Sequence, residues 1–99
     1  MSLFRKTPKI KNRAVLDHAK HRLLKYVIAR DAAGCEVVLG RSGRINVQDR
    51  ELIISCEGRD VFRCDVEQME IGELLSRDGV RIMTTDAQGE PQSVVCYFV

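Results

Sequence analysis

The spacing of turn signals after residue 25 constrains the fold of this chain more than any other feature. Short clusters containing Gly, Asp, Ser or Gln recur along the chain, at 31–34, 41–43, 48–50, 57–60, 76–79 and 86–89. The segments between them are rich in Val and Ile with a period of two, which is typical of strands. Parallel strands need crossovers of about a dozen residues or more. The sequence therefore predicts an antiparallel β body over residues 26–99.

Seven short strands are predicted, at 26–30, 35–39, 44–47, 52–56, 61–64, 80–84 and 93–98. Hairpin-length loops favour a meander that closes into a small barrel or sandwich. Residues 66–75 fit neither a strand nor a helix cleanly, so another strand, a helical turn, or both in succession remain open. A turn over 57–60 pairs Cys56 with Val61 and places Cys56 and Cys64 on opposite faces of the hairpin.

The last strand carries apolar residues on both of its faces. Val94, Cys96 and Phe98 alternate with a second set, Val95, Tyr97 and Val99. Such a strand is central in its sheet, or its outer face meets a partner. We therefore predict an interface at Val95, Tyr97 and Val99.

The N-terminal quarter of the chain differs from the rest. Val15, Leu16, Ala19, Leu23 and Leu24 recur at three- and four-residue spacing, which predicts one short amphipathic α-helix over residues 14–25. Residues 1–13 show no sustained period and contain a proline, so a basic, flexible arm is expected there. The predicted organisation is this arm followed by a single domain over residues 14–99, mainly β, with the helix in front.

Charge is divided unevenly along the chain. Residues 1–25 hold eight basic side chains against one acid, whereas residues 26–99 hold eight arginines against thirteen acids. Such asymmetry is compatible with nucleic acid or an anionic membrane surface as partner, or with a leader that aids solubility or docks on its own domain. The candidate anion-binding residues are Arg5, Lys6, Lys9, Lys11, Arg13, Lys20, Arg22 and Lys25.

The segments G-R-I-N-V-Q-D-R-E-L-I-I from Gly43, V-F-R-C-D-V-E-Q-M-E-I from Val61 and D-G-V-R-I-M-T-T-D from Asp78 resemble the strand rhythm of PH-like domains of the GRAM type. The resemblance covers about half of the chain. It implies a PH-like fold and a binding or assembly module. Two departures are visible: the predicted helix is N-terminal where that family has a C-terminal one, and the loop at 31–34 lacks the basic residues that a phosphoinositide headgroup needs.

Cofactor and metal chemistry is not indicated by the residue patterns. The cysteines, at positions 35, 56, 64 and 96, form no Cys-x-x-Cys pair, and we expect them to be small buried hydrophobic residues. His18 and His21 are three apart on the predicted helix but have no identifiable third ligand. No calcium loop surrounds the acidic cluster Asp65, Glu67, Glu70 and Glu73, and phosphate-binding glycine motifs are missing. We predict no cofactor and no metal.

These observations predict a small non-enzymatic β domain that works by protein contact, through self-association at a sheet edge or at the last strand. The alternative is nucleic-acid or anionic-surface binding through the basic arm and helix. An enzyme that uses a cysteine, or a metal held by histidine, ranks third. No apolar run reaches the roughly 18 residues of a membrane span, and no secretory signal is recognisable, so a cytoplasmic location is expected. No class of small-molecule ligand is indicated.

Overall fold

The computed structural model describes residues 9–85 and 88–99, with their side chains from residue 13 onward. Within these residues it contains one α-helix, seven strands and a 3₁₀ turn at Val66–Gln68. The elements are α1 (Lys9–Lys20), β1 (Leu24–Arg30), β2 (Glu36–Gln48), β3 (Glu51–Cys56), β4 (Arg59–Asp65), β5 (Glu70–Glu73), β6 (Gly79–Thr85) and β7 (Pro91–Phe98). The predicted fold class, mainly β with one short N-terminal helix, is confirmed.

All seven strands form one antiparallel sheet in the order β4-β3-β2-β1-β7-β6-β5. The two edge strands, β4 and β5, are consecutive in the chain, and only residues 66–69 connect them. If the sheet were flat, its edges would lie about 29 Å apart, at about 4.8 Å per strand. Five residue steps span at most about 18 Å. The sheet must therefore curl until its edges approach each other, as in a partly open barrel.

The concave side of the curled sheet holds the hydrophobic core. Strand residues alternate between this inner face and an outer face, and α1 adds Leu16 and Ala19 to the core from one end. Phe98 completes that end. The centroids of the His18 and Phe98 rings lie 6.2 Å apart in an edge-on arrangement, and the Arg22 guanidinium lies 4.4 Å from the centroid of the Phe98 ring. The buried strand residues of this core are Leu24, Val27, Ile45, Leu52, Ile54, Cys56, Ile71, Val80, Ile82, Val94, Cys96 and Phe98.

The helix lies five residues earlier than predicted, over Lys9–Lys20 instead of 14–25. Its last turn tightens, because the N–H groups of residues 21 and 22 donate to the carbonyls of His18 and Ala19. Leu24 then begins β1 and is fully buried, whereas Leu23 is 52% exposed. The apolar spacing of these leucines matched a helix, but pairing with β2 and β7 takes Leu24 into the sheet. Asp17 accordingly lies near the end of the helix, not its start.

The predicted turn at 41–43 is wrong, because β2 is one continuous thirteen-residue strand. Its first half pairs with β1 and its second half with β3, and both ladders meet at Gly43. Ser42, with φ 53°, bends the strand at this crossing. The Ser-Gly pair was interpreted as a chain reversal, but it marks the corner where β2 passes from one neighbour to the other.

The β3–β4 hairpin differs from its predicted register. Its turn consists of Glu57 and Gly58 alone, with φ values of 52° and 80°, as a type I′ turn requires. Cys56 therefore pairs with Arg59, and a bulge follows one residue further along. Cys64, predicted on the opposite face, contacts the same core as Cys56.

The ambiguous segment 66–75 forms two of the elements left open, in succession. The 3₁₀ turn Val66–Gln68 is capped by Asp65, whose carboxylate accepts a 2.8 Å hydrogen bond from the N–H of Glu67. Strand β5 follows and pairs with β6. The predicted strands 35–39 and 44–47 form the single strand β2, and β5 is an additional strand, so the count of seven still agrees with the prediction.

Gly43 and Gly72 differ in the space around them, and this difference is testable. A Cβ at Gly43 would lie 2.5 Å from the Ser55 carbonyl oxygen and 2.7 Å from Sγ of Cys56, whereas nothing lies within 4 Å of one at Gly72. We expect Gly43→Ala to lower the free energy of unfolding by about 2 kcal/mol. Gly72→Ala should change it by less than about 0.5 kcal/mol. Denaturant titrations measure both, and equal midpoints would contradict the close approach at Gly43.

Candidate functional site

The outer face of the central strands carries an apolar surface that the core does not use. Fully buried neighbours, such as Val27 on β1, Cys96 on β7 and Val80 on β6, fix which residues point outward. We call this surface the outer face. Its residues are Tyr26, Ile28 and Arg30 on β1, Val38 and Glu36 on β2, Ser93, Val95 and Tyr97 on β7, and Arg81 and Met83 on β6.

Strand register arranges the outer face in rows that run across the sheet. In the middle row, Ile28 lies between Val38 and Val95, and Arg81 continues the row on β6. One row away, the Tyr26 and Tyr97 rings stack with their centroids 4.7 Å apart. Val38, at the β2 end of this row, is 55% exposed, whereas Ile28 and Val95 are half-buried. A contiguous apolar surface of this kind is a candidate interaction site.

The β5–β6 connection shapes one side of the outer face. Gly79 has no side chain, and Leu74 Cδ1 occupies the space above it, 2.9 Å from where a Cβ would stand. Shallow cavities of about 110 Å³ and about 540 Å³ flank this point, and Leu74, Arg81 and Tyr97 line both. Gly72 forms part of the floor of the larger one. Arg81 therefore stands between two recesses, and Arg30 and Glu36 also line the smaller one.

Charges on the outer face are only partly balanced. Nε and Nη2 of Arg30 donate to one carboxylate oxygen of Glu36, at 3.1 and 2.6 Å. Arg81 is exposed, and in the part of the chain that the structure describes no acidic side chain forms an ion pair with it. Its cross-strand neighbours are Val95 and Gly72. The Arg81 guanidinium thus forms no ion pair within the described residues, although Glu36 lines the same smaller cavity.

Two of the three predicted interface residues lie together on the outer face. Val95 and Tyr97 are half-buried on β7, which pairs with both β1 and β6 and is therefore a central strand. Val99 lies just beyond the end of β7 and is 75% exposed. Its N–H donates to the Leu23 carbonyl at 3.0 Å, which places two exposed apolar side chains next to each other.

Other members of the outer face were missed from the sequence. Tyr26 and Ile28 alternate with apolar residues that are buried in β1, so the period of two in the sequence could have placed them on the outer face. Val38 and Arg81 join the surface only through strand pairing. Their sequence positions alone do not indicate that they lie in the same row.

The candidate anion-binding residues do not form one cluster in the described part of the chain. Arg5 and Lys6 lie outside the described residues, and Lys9 and Lys11 lie on α1. Lys20 forms an ion pair of 3.5 Å with Asp17, and Arg22 lies over a phenyl ring. Lys25 is exposed on β1.

Arg13 and Lys20 line a cavity of about 260 Å³ between α1 and the barrel end. Three acids, Asp17, Asp49 and Glu67, line the same cavity. Its charge is therefore mixed, which does not favour a polyanion.

Burial keeps three of the four thiols protonated. Desolvation raises the pKa of Cys96 to about 12, with a smaller contribution from Cys56, and raises the pKa of Cys64 to about 11, assisted by Asp65 and Glu51. The pKa of Cys56 is raised mainly by burial. Such thiols are poor nucleophiles and poor metal ligands. The prediction that all four cysteines are buried is wrong for Cys35, which is exposed.

The described residues contain no cluster suited to binding a metal ion. Among them, no group of three or more His, Cys, Asp or Glu side chains is placed to hold a metal ion. His21 follows the last residue of α1, so the two histidines do not share a helix face as the sequence suggested. The acidic segment is divided between β4, the 3₁₀ turn and β5.

Comparison of the chain with protein-family models, with curated proteins and with solved structures found no match in any of the three. The PH-like resemblance therefore stays a prediction. In residues 9–85 and 88–99, no helix has the length and apolar character needed to cross a membrane.

Thiol labelling tests the burial of the cysteines. We expect Cys35 to react with iodoacetamide at least about tenfold faster than the others, because burial removes both access and thiolate from Cys56, Cys64 and Cys96. Mass spectrometry should show one modification under native conditions and four in denaturant. A Cys35→Ser control should lose the fast modification, and rapid labelling of Cys96 would contradict its burial.

Alkaline unfolding tests the raised pKa of Cys96. The folded chain holds this thiol proton more tightly than the unfolded chain does, so the resulting stability is complete below the ordinary pKa of 9.0 and is lost as pH rises towards about 12. The free energy of unfolding should therefore fall between about pH 8.5 and pH 10.5. Cys96→Ala should make this fall shallower. An unchanged slope would show that Cys96 contributes nothing to it.

Proposed function

We propose that this protein is a non-enzymatic protein-contact module that self-associates through the outer face. The observation that carries the proposal is the row Val38, Ile28 and Val95, which leaves apolar side chains in contact with water on a sheet whose core is already complete. Burying such a surface contributes about 25 cal/mol for each Å² removed from water. The proposal includes the cytoplasmic location expected from the sequence.

Sheet edges fit self-association less well than the outer face. Strand β4 has a bulge and four charged residues, which are features that discourage edge pairing. Arg63 on this strand donates to Glu51 at 3.0 Å and to Asp60 at 2.6 Å. The Ser55 hydroxyl and the Arg63 guanidinium both donate to Asp60 and hold the pKa of its carboxyl below the ordinary value. The other edge, β5, is only four residues long and packs beside α1. The outer face is therefore the preferred contact surface.

The non-enzymatic part of the proposal is supported by the state of the thiols. Catalysis by cysteine needs a thiolate, and burial raises the pKa of Cys56, Cys64 and Cys96. The other predicted function, nucleic-acid or anionic-surface binding through the N-terminal cations, stays a prediction. The described cations are spread over α1 and the start of β1, and Arg13 and Lys20 face carboxylates.

Two neighbouring valines on β2 test the proposal with a matched control. Val38 lies on the outer face and Val37 on the opposite face, and they are similarly exposed, at 55% and 61%. We expect Val38→Lys to weaken self-association at least about fivefold, since it places a charge in the apolar row, whereas Val37→Lys should leave it unchanged. Sedimentation velocity from about 1 to about 500 µM covers the range in which a small interface dissociates.

Two results would overturn this proposal. The first is an unmodified chain that stays monomeric over the whole concentration range. The second is equal weakening by Val37→Lys and Val38→Lys, which would place the contact elsewhere on the molecule.

A further inference from the structure

We infer that the occupant of the outer face is a second copy of this chain, docked about a twofold axis that runs parallel to the strands between β1 and β7, with Arg81 reaching Glu36 of the partner subunit. The inference rests on the proposed function and adds the geometry and the charge pair that select this dimer. The unpaired guanidinium of Arg81 and the position of Glu36 two strands beyond β7 carry the argument.

The row structure of the outer face determines what such an axis brings together. A twofold axis parallel to the strands keeps each row and exchanges the two sides of the sheet. Placed between β1 and β7, it lays β1 on the partner's β7 and β2 on the partner's β6. Ile28 then meets the partner's Val95, and Tyr26 meets the partner's Tyr97. Both contacts join apolar surface to apolar surface, with the two sheets about 10 Å apart.

Arg81 is the residue that distinguishes this axis from the others. It lies above the partner's Val38, and the partner's Glu36 is two residues further along the same strand, about 7 Å away. Because the sheets are also about 10 Å apart, the extended side chains of Arg81 and of the partner's Glu36 are both needed to span the gap. Glu36 already accepts from Arg30 through one carboxylate oxygen, and a carboxylate has lone pairs for a second donor.

Other twofold arrangements bring like charges together. An axis that crosses the strands lays β6 on the partner's β6, so that the two Arg81 side chains oppose each other. An axis moved onto β7 lays Arg81 over the partner's Ile28, whose strand carries Arg30 in the next row. Like charges placed opposite each other disfavour a pairing. The charges on the outer face therefore favour the axis between β1 and β7 over these two arrangements.

A mixing experiment tests the charge pair. In a homodimer of Arg81→Glu, two carboxylates face each other at both contacts, and in a homodimer of Glu36→Arg, two guanidinium groups do so. We expect each variant alone to dimerise at least about tenfold more weakly than the unmodified chain. When the two variants are mixed, both contacts join opposite charges, so a heterodimer should form with near-original affinity.

The mixture protects the test against folding artefacts. Thermal unfolding and circular dichroism check each variant, and a heterodimer formed from two weakly associating chains cannot arise from loss of structure. Arg59→Glu and Glu57→Arg, on the β3–β4 hairpin, make the same two charge changes away from the outer face. These control variants should dimerise like the unmodified chain, both alone and mixed. Raising the salt concentration should weaken the Arg81→Glu and Glu36→Arg heterodimer.

Native mass spectrometry with isotopically labelled chains counts homodimers and heterodimers directly. An excess of heterodimer well above the statistical half supports the inference. If Val38→Lys weakens the dimer but the two charge variants leave it unchanged, the proposed axis is wrong and the proposed function is retained. An unmodified chain that is monomeric throughout would overturn both, and would make a different protein the occupant of the outer face.

Discussion

The rest of this structure depends on the short connection between its two edge strands. Residues 66–69 join β4 to β5, which stand at opposite ends of the seven-stranded order. Because so few residues cannot cross a flat sheet of this width, the sheet curls. Curling gives the sheet a concave side that its own side chains can fill, and α1 needs to cover only one end. The bent strand β2, with the close approach at Gly43, is a consequence of the same curvature.

Curvature also determines what the outer face can do. Every strand contributes one set of side chains to the concave core, so the apolar residues of the other set have no place inside. On β4 the outward residues are mostly charged, and Arg63 is held between two carboxylates. On β1 and β7 they are mainly valine, isoleucine and tyrosine, with Arg30 and Ser93 at one end. A single chain therefore has one polar outer region and one apolar outer region, and only the second gains from being covered.

How far the sequence predicts the structure depends on the distance over which each signal acts. The alternation in β1, β3, β4, β6 and β7 is local, and their predicted bounds lie within two residues of those observed. Leu24 fitted helical spacing equally well, and only its pairing with distant strands assigns it to the sheet. The same limit applies to the outer face: Val95 and Tyr97 were found within one strand, whereas the place of Arg81 beside them requires the strand order.

The strand order also explains how a nearly neutral surface could specify the dimer that we propose. Apolar contact is non-directional, so the row formed by Val38, Ile28 and Val95 would accept several relative rotations of two copies. In the proposed dimer, an arginine that forms no ion pair within the described part of its own chain reduces this freedom, because rotations that place it near another arginine are disfavoured. Arg30 and Glu36 form an ion pair within each chain, so their charges balance each other. Arg81 is then the charged group of the outer face that has no ion pair among the residues that the structure describes. In this arrangement apolar burial provides the affinity, and a single guanidinium provides the orientation.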